Sequence, residues 1–181
     1  MLFARHGETD YTAAGRLQGW LRVPLNAEGE RQAEALAHLV AELGVRRIVA
    51  SPLLRAWRTA SVIAASLQLP LRPDPRLRER RWGSLEGRPR TERIEPFPED
   101  VEPLTEFRAR VSEATTELLR DLPGDDLLLV SHSGVLRQIG RVLGVEEPGW
   151  SLPTGGLCRL VRADGRWQRR PILPRSPGPE R

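Results

Sequence analysis

Three short polar clusters in this chain bring together residue types that handle phosphate. Arg5-His6-Gly7 follows an apolar opening stretch, Met1 to Ala4. Ser51-Pro52-Leu53-Leu54-Arg55 follows the strand-like run Arg46 to Ala50. His132-Ser133-Gly134 follows Asp126-Leu-Leu-Leu-Val130, apolar enough to be a central strand. Each cluster sits where a strand ends, and the last two open helices. In an open α/β sheet, ligands bind at the carboxyl ends of the strands. Helix N-termini at that edge present unpaired N–H groups and a positive dipole end, which suits an anion. Taken singly, a histidine after a strand is usually structural and an arginine in a helix usually solvated. His38, mid-helix among Ala and Leu, is such a bland case and is given no role. Together the clusters place two histidines and at least two arginines at one sheet edge, and that points to phosphate.

The elements that must position them alternate between strand and helix, as in an α/β domain. Residues 6–26 read as a long Gly-rich loop. Asn26 then caps a helix with Leu36, Leu39, Val40 and Leu43 on one face and Gly44 as its stop. Ser51 reads as the N-cap of a second helix, with Pro52 at its first position, running to about Leu67. Residues 70–103, rich in proline and charge, read as an irregular excursion. Thr105 is the expected cap of a helix to about Arg120, and Ser133 opens another through about Leu143. Leu157 to Val161 and Arg166 to Arg170 are expected to pair as a hairpin turning at Asp164-Gly165. A Pro-rich tail over 171–181 is expected to be disordered, leaving 1–170 as the folded domain.

Composition narrows the field. The chain has 181 residues, enough for one domain with a sizeable core. All 28 basic residues are arginine, for there is no lysine. That excludes a Walker-type phosphate loop and Schiff-base chemistry. The pI near 10.7 would ordinarily hint at nucleic acid. The net charge is only +4, however, and acidic residues are mixed among the arginines throughout, so no nucleic-acid partner is expected. Cys158 is the only cysteine, which excludes an internal disulfide and a multi-cysteine metal site. No apolar run reaches the eighteen residues of a membrane span and no signal sequence is visible; a cytoplasmic protein is expected.

The order of the motifs carries more than any one of them. Arg5-His6-Gly7-Glu8-Thr9 resembles the signature of the histidine phosphatase superfamily, the phosphoglycerate mutase-like group. Gly15-Arg16-Leu17-Gln18-Gly19 and Leu25-Asn26-x-x-Gly29-x-x-Gln32-Ala33 continue the match. Ser51-Pro52-Leu53-Leu54-Arg55-Ala56-x-x-Thr59-Ala60 is similar to the second block and Leu77-Arg78-Glu79-x-x-x-Gly83-x-x-Glu86-Gly87 to the third. Val130-Ser131-His132-x-Gly134-Val135-Leu136-Arg137 is similar to the fourth. The blocks fall in the family's order from the start of the chain to about residue 145.

The resemblance implies a single three-layer α/β sandwich with a mostly parallel central sheet flanked by helices. It also implies a metal-independent phosphatase that needs no cofactor. His6 would be the nucleophile carrying the phosphoryl group, and Arg5, Arg55 and His132 the phosphate clamp. Arginine's planar fork suits phosphate oxygens, and His132 would act as a cation, its pKa raised by the phosphate dianion. Glu79 would be the proton donor and acceptor; the residues by themselves do not choose it over Glu86 or Glu8. Gln18 and Gly19 fall where the family lines its substrate pocket, and Glu8 and Thr9 would shape the loop. Two positions depart from the pattern: Thr12 stands where the family has an asparagine that touches phosphate, and Ser133 where it has Gly or Ala. The excursion after Gly87 is short for the family, whose larger members cover the substrate there. The implied substrate is a small phosphorylated metabolite, with sugar phosphates, a cobalamin precursor, phosphoglycerate and phosphoproteins all compatible. The alternatives are a phosphoglycerate mutase, a phosphohistidine protein phosphatase, and a phosphate-binding regulator without catalysis. A homodimer is the default for such an enzyme.

Overall fold

The computed structural model describes residues 1–121, 126–145 and 151–172. Its elements are β1 (Leu2–Arg5), α1 (Asp10–Ala13), α2 (Ala27–Ala41), β2 (Arg47–Ala50), α3 (Leu54–Leu67) and β3 (Leu71–Pro73). After a stretch of single 3₁₀ turns come α4 (Leu104–Asp121), β4 (Leu127–Ser131), α5 (Ser133–Val142), β5 (Leu157–Ala163) and β6 (Arg166–Ile172). Six strands form one sheet in the order β3-β2-β4-β1-β5-β6. The first four run parallel, and β5 and β6 add an antiparallel edge. The sheet is therefore mixed but mostly parallel.

Strand β4 is apolar from Leu127 to Val130 because both faces of the sheet are covered. Leu127 and Leu129 point into a core built with Phe107, Val111, Val135 and Ile139 of α4 and α5. Leu128 and Val130 point the other way, against Leu36, Val40, Ala60 and Ile63 of α2 and α3. The period of two along the strand thus divides one sequence run between two cores, and the result is a three-layer sandwich.

Register makes this sheet a platform. Ala4 lies beside Val130, and Val130 beside Ala50. The backbone pairing continues one step further, with the His6 amide on the Ser131 carbonyl and the Ser51 amide on the Val130 carbonyl. Strands β1, β2 and β4 therefore end level, and the next residues of each, His6, Ser51 and His132, emerge together.

Several local expectations need correction. Helix α3 starts at Leu54 with Leu53 at its N-cap and no side-chain cap; the Ser51 hydroxyl accepts from the Leu53 amide at 3.3 Å and lies 2.9 Å from His132 Nε2. Helix α4 begins at Leu104, so Thr105 lies inside it. The loop 6–26 contains the one-turn helix α1, capped by Thr9, and the excursion contains β3, which adds an edge strand to β2. Asn26 does cap α2, its side chain accepting from the Gly29 amide. The hairpin turns at Asp164-Gly165, both at positive φ. Strand β6 runs to Ile172, and the rest of the expected tail lies outside the described residues. Among the described residues, no helix is long and apolar enough to cross a membrane.

Candidate active site

His6 is buried, and its Nδ1 lies 2.7 Å from the Gly7 carbonyl. A carbonyl only accepts, so Nδ1 carries the proton and Nε2 keeps its lone pair. The next residues are locked by close approach. A Cβ on Gly7 would run into the Gly29 backbone, and one on Gly29 into that of Glu8. The Gly7 amide donates to Thr59 Oγ1 at 3.0 Å, which ties the loop to α3. Asn26 Nδ2 donates to Glu8 Oε1, and the Glu8 amide to Gln32 Oε1, so Glu8 and Thr9 serve the loop's shape.

Around His6 stand the expected cations. Arg55, 1% exposed, donates through Nη2 to the Gly19 carbonyl at 2.9 Å. Arg5 donates through Nη1 to the Leu152 carbonyl at 2.6 Å. The His132 ring lies 5.2 Å from that of His6 between centroids, and its Nε2 is 2.9 Å from Ser51 Oγ. Arg5, Arg55 and His132 are each held at one end and left open at another: Arg5 Nε, Arg55 Nε and His132 Nδ1, together with Ser133 Oγ, are buried with no hydrogen-bond partner among the described residues. Buried polar atoms of a native fold nearly always have a partner, whether protein, ordered water or a bound ligand. Three of the four are nitrogens, and those on the two arginines are obligate donors, so what suits them is an acceptor-rich anion.

Glu79 reaches the same place from the excursion. Its Oε2 accepts from the Gly134 amide at 3.1 Å, at the start of α5, and its Oε1 from the Arg80 amide at 2.9 Å. Only glycine at 134 allows this, since a Cβ there would run into the carboxylate. Glu86 is engaged differently. Its Oε1 accepts from the amides of Trp20 and Trp82, pinning two loops beneath Gly19.

A cavity of about 740 Å³ opens over these groups, lined by Arg5, His6, Gln18, Gly19, Arg55, Glu79 and Ser133 among others. His132 lies just beneath, against His6. The structure does not bring Thr12 to the cavity wall: its hydroxyl bonds to the Thr9 carbonyl and accepts from the Thr9 amide, closing the cap of α1. The excursion after Gly87, short as it is, does wall the cavity through Arg90, Arg93, Glu95 and Phe97.

Other residues support the site without a sequence signal that marks them. Arg110 on α4 donates to the carbonyls of Arg76, Arg78 and Glu79, and pairs with Glu102. Trp20 Nε1 also donates to the Glu79 carbonyl. This bracket fixes the backbone that carries Glu79. An arginine on an amphipathic helix looks like a solvated charge in the sequence, and nothing in its spacing shows otherwise.

Burial, and then the Arg55 charge, pushes His6 well below the usual histidine range. The same two causes lower His132, helped by His6 and Arg5. Burial first, then neighbouring charge, also lowers Arg5, and burial lowers Arg55 to about 10. The protein's own groups thus hold both histidines neutral. The cation expected at His132 requires negative charge brought by the substrate. The consequence for stability has a definite sign. The unfolded chain binds protons on these histidines near pH 6.5 and the native one does not, so stability is whole above that pH and declines as pH falls below it. Each histidine contributes up to about 1.4 kcal/mol per pH unit. Denaturant midpoints at pH 7.5 and 5.5 should separate accordingly, and the double variant His6→Asn/His132→Asn should flatten the difference. An unchanged difference would mean that carboxylates, not these histidines, set it.

Arg55 and Arg58 are three residues apart on α3 but have opposite surroundings. Arg58 is 53% exposed and paired with Glu30, an arrangement worth at most about 1 kcal/mol. Arg55→Ala should lower kcat/KM about tenfold or more for each charged hydrogen bond lost, and Arg58→Ala by no more than about twofold. Equal losses from the two would refute a clamp role for Arg55.

Comparison with known proteins agrees with this geometry. A relative from Bacillus subtilis (strain 168), named uncharacterized phosphatase PhoE, is 35% identical over 171 residues, covering 91% of this chain and 89% of its own. A Shigella boydii protein named probable phosphoglycerate mutase GpmB is 38% identical over 179 residues, covering 88% of this chain and 82% of its own. The solved structure of a mycobacterial glucosyl-3-phosphoglycerate phosphatase superposes with a TM-score of 0.81 at 26% identity, over 94% of this chain and 96% of that one. The sequence profile of the histidine phosphatase superfamily (branch 1) matches residues 1–171. The chain belongs to the histidine phosphatase superfamily.

Proposed function

We propose that the protein is a metal-independent phosphatase that hydrolyses phosphate monoesters through a phosphohistidine on His6. The observation that carries this reading is the ring of orphaned buried polar atoms around a histidine whose Nδ1 proton is already engaged. Nε2 of His6 attacks phosphorus in line with the leaving oxygen, and the P–O bond to the alcohol breaks as the P–N bond forms. Arg5, Arg55 and His132 take the charge on the equatorial oxygens, His132 gaining its proton beside the dianion. Glu79 hands a proton to the departing alcohol and then takes one from the water that cleaves the P–N bond. The arginines supply the positive charge that a divalent cation would otherwise bring.

Labelled substrate, quenched rapidly without acid, is expected to leave acid-labile, base-stable phosphate on His6. Turnover is expected to survive chelators. Label on serine, cysteine or aspartate, or activity lost to EDTA and restored by a divalent ion, would overturn the mechanism.

The similarity to a protein named as a phosphoglycerate mutase keeps one other reading in play. A mutase uses the same phosphohistidine but returns the phosphoryl group to the sugar acid. Incubation with 3-phosphoglycerate separates the two: a phosphatase releases free phosphate, whereas a mutase yields the 2-phospho isomer.

A further inference from the structure

The segment that carries Glu79 belongs to no helix or strand ladder. It leaves the 3₁₀ turn Pro75–Leu77 with Arg78 in an extended conformation. Among the described residues, no backbone amide donates to the carbonyls of residues 76–79. Side chains hold all four instead. Ser131 Oγ donates to the Leu77 carbonyl at 2.7 Å, and Trp20 Nε1 to that of Glu79 at 2.8 Å. Arg110 of α4 takes the others: its Nη1 donates to the carbonyls of Arg76 and Arg78, both at 2.7 Å, and its Nη2 to that of Glu79 at 2.9 Å.

An arginine has five N–H donors in a rigid fork. In Arg110 the remaining two go to Glu102, Nε to Oε1 at 2.6 Å and Nη2 to Oε2 at 2.9 Å, so all five are engaged. One face of the guanidinium lies 4.9 Å over the Phe107 ring. Arg76 shows what a staple between the same two parts of the chain looks like without this function. Its side chain also bridges the excursion to α4, but it bonds only to the carboxylates of Asp74, Glu113 and Glu117. Arg110 instead gathers carbonyls from both sides of one bend, and that bend sets where the Glu79 side chain begins. The carboxylate then has to meet two amides from different elements, those of Arg80 and Gly134.

We propose that Arg110 is a positioning residue for proton transfer, wrapping the segment 76–79 around its guanidinium so that Glu79 presents its carboxyl to the leaving oxygen. The proposal rests on the phosphatase reading, with Glu79 as the acid, and adds a residue that touches neither substrate nor the Glu79 side chain.

The test is single-turnover phosphorylation of His6 by an alkyl phosphate, whose leaving group needs the proton, and by nitrophenyl phosphate, whose leaving group hardly does. A misplacement of about 1 Å can cost on the order of 10²-fold. Arg110→Met should therefore slow the alkyl ester by about that factor, and the nitrophenyl ester far less. Arg110→Lys keeps the charge but has three donors for five acceptors, so it should recover only part of the loss. Arg110→Met/Glu79→Gln should be no slower with the alkyl ester than Glu79→Gln alone, since both changes act on one proton transfer. Arg76→Gln should lower the melting temperature without any contrast between the esters. Arg110→Met leaves Glu102 without its cation, which can unfold the protein; Arg110→Met/Glu102→Gln removes the stranded charge and should show the same contrast. Both esters slowed alike in a folded variant, full recovery with lysine, or an equal contrast in Arg76→Gln would each overturn the proposal. If the parent protein forms no phosphoenzyme, or Glu79→Gln shows no contrast, it is the phosphatase reading or its acid that falls. Amide hydrogen exchange then decides the positioning by itself. The Arg80 and Gly134 amides should exchange faster in Arg110→Met while those of β4 do not, and unchanged exchange at both rejects it.

Discussion

His6→Ala is expected to leave a folded protein with no measurable phosphate release. Among the described residues, the other histidine of the site and the cysteine are poorly placed to replace the nucleophile. Nδ1 of His6 is committed to the Gly7 carbonyl, so the reactive lone pair is that of Nε2 alone. His132 is 1% exposed, and its Nε2 is taken by Ser51. Cys158 is buried in the core, where desolvation raises its thiol to about 12. In a serine protease, removing the covalent nucleophile costs on the order of 10⁶-fold in rate. The clamp should persist in the variant, because Arg5 and Arg55 are held by the carbonyls of Leu152 and Gly19 rather than by His6. Inorganic phosphate or vanadate should therefore still raise its melting temperature, which separates a lost nucleophile from a lost fold. Turnover within a hundredfold of the parent would mean that water attacks phosphorus directly.

Much of this site was legible in the sequence because its parts are local. A histidine or serine directly after an apolar run sits at a strand end whatever the strand's exact limits. Once β1, β2 and β4 are parallel neighbours, their ends converge. Asn26 could be read as a cap because its side chain acts within one turn. What escaped depends on chain segments that meet only in three dimensions. Ser51 has the chemistry of a cap, and in sequence nothing distinguishes an N-cap from a partner for a histidine 81 positions away. Thr12 occupies a position tied to phosphate in the family pattern, yet its hydroxyl is consumed by Thr9 three residues earlier. Glu79 and Glu86 are alike as residues, and the difference lies in what surrounds them. Glu79 faces the cavity at the head of α5, while Glu86 is surrounded by the amides of Trp20 and Trp82. The gathering of nine arginines around the cavity was equally hidden, because they come from six segments and each segment alone looks ordinary.

Glu79→Gln offers the most discriminating result, because its effect should depend on the leaving group. An alkyl phosphate expels an alkoxide, a poor leaving group unless protonated as the bond breaks. A nitrophenyl phosphate expels a stabilised phenolate that hardly needs the proton. General acid catalysis contributes about 10²–10⁴-fold, roughly 3–5 kcal/mol of barrier. Glutamine keeps the shape, and its amide oxygen can still accept from Gly134, so the start of α5 should remain as it is. Phosphorylation of His6 by the alkyl ester should then slow by that order, and by the nitrophenyl ester much less. Single-turnover formation of the phosphoenzyme is the measurement required. The same carboxylate would activate water in the second step, and steady-state rates would mix the two. Glu86→Gln is the companion variant. Its Oε1 holds the Trp20 and Trp82 amides, so a change there should act through loop stability and affect both esters alike. If Glu79→Gln slows the two esters equally while Glu86→Gln shows the leaving-group contrast, the acid is Glu86. If neither variant shows the contrast, the proton comes from a group other than these two carboxylates.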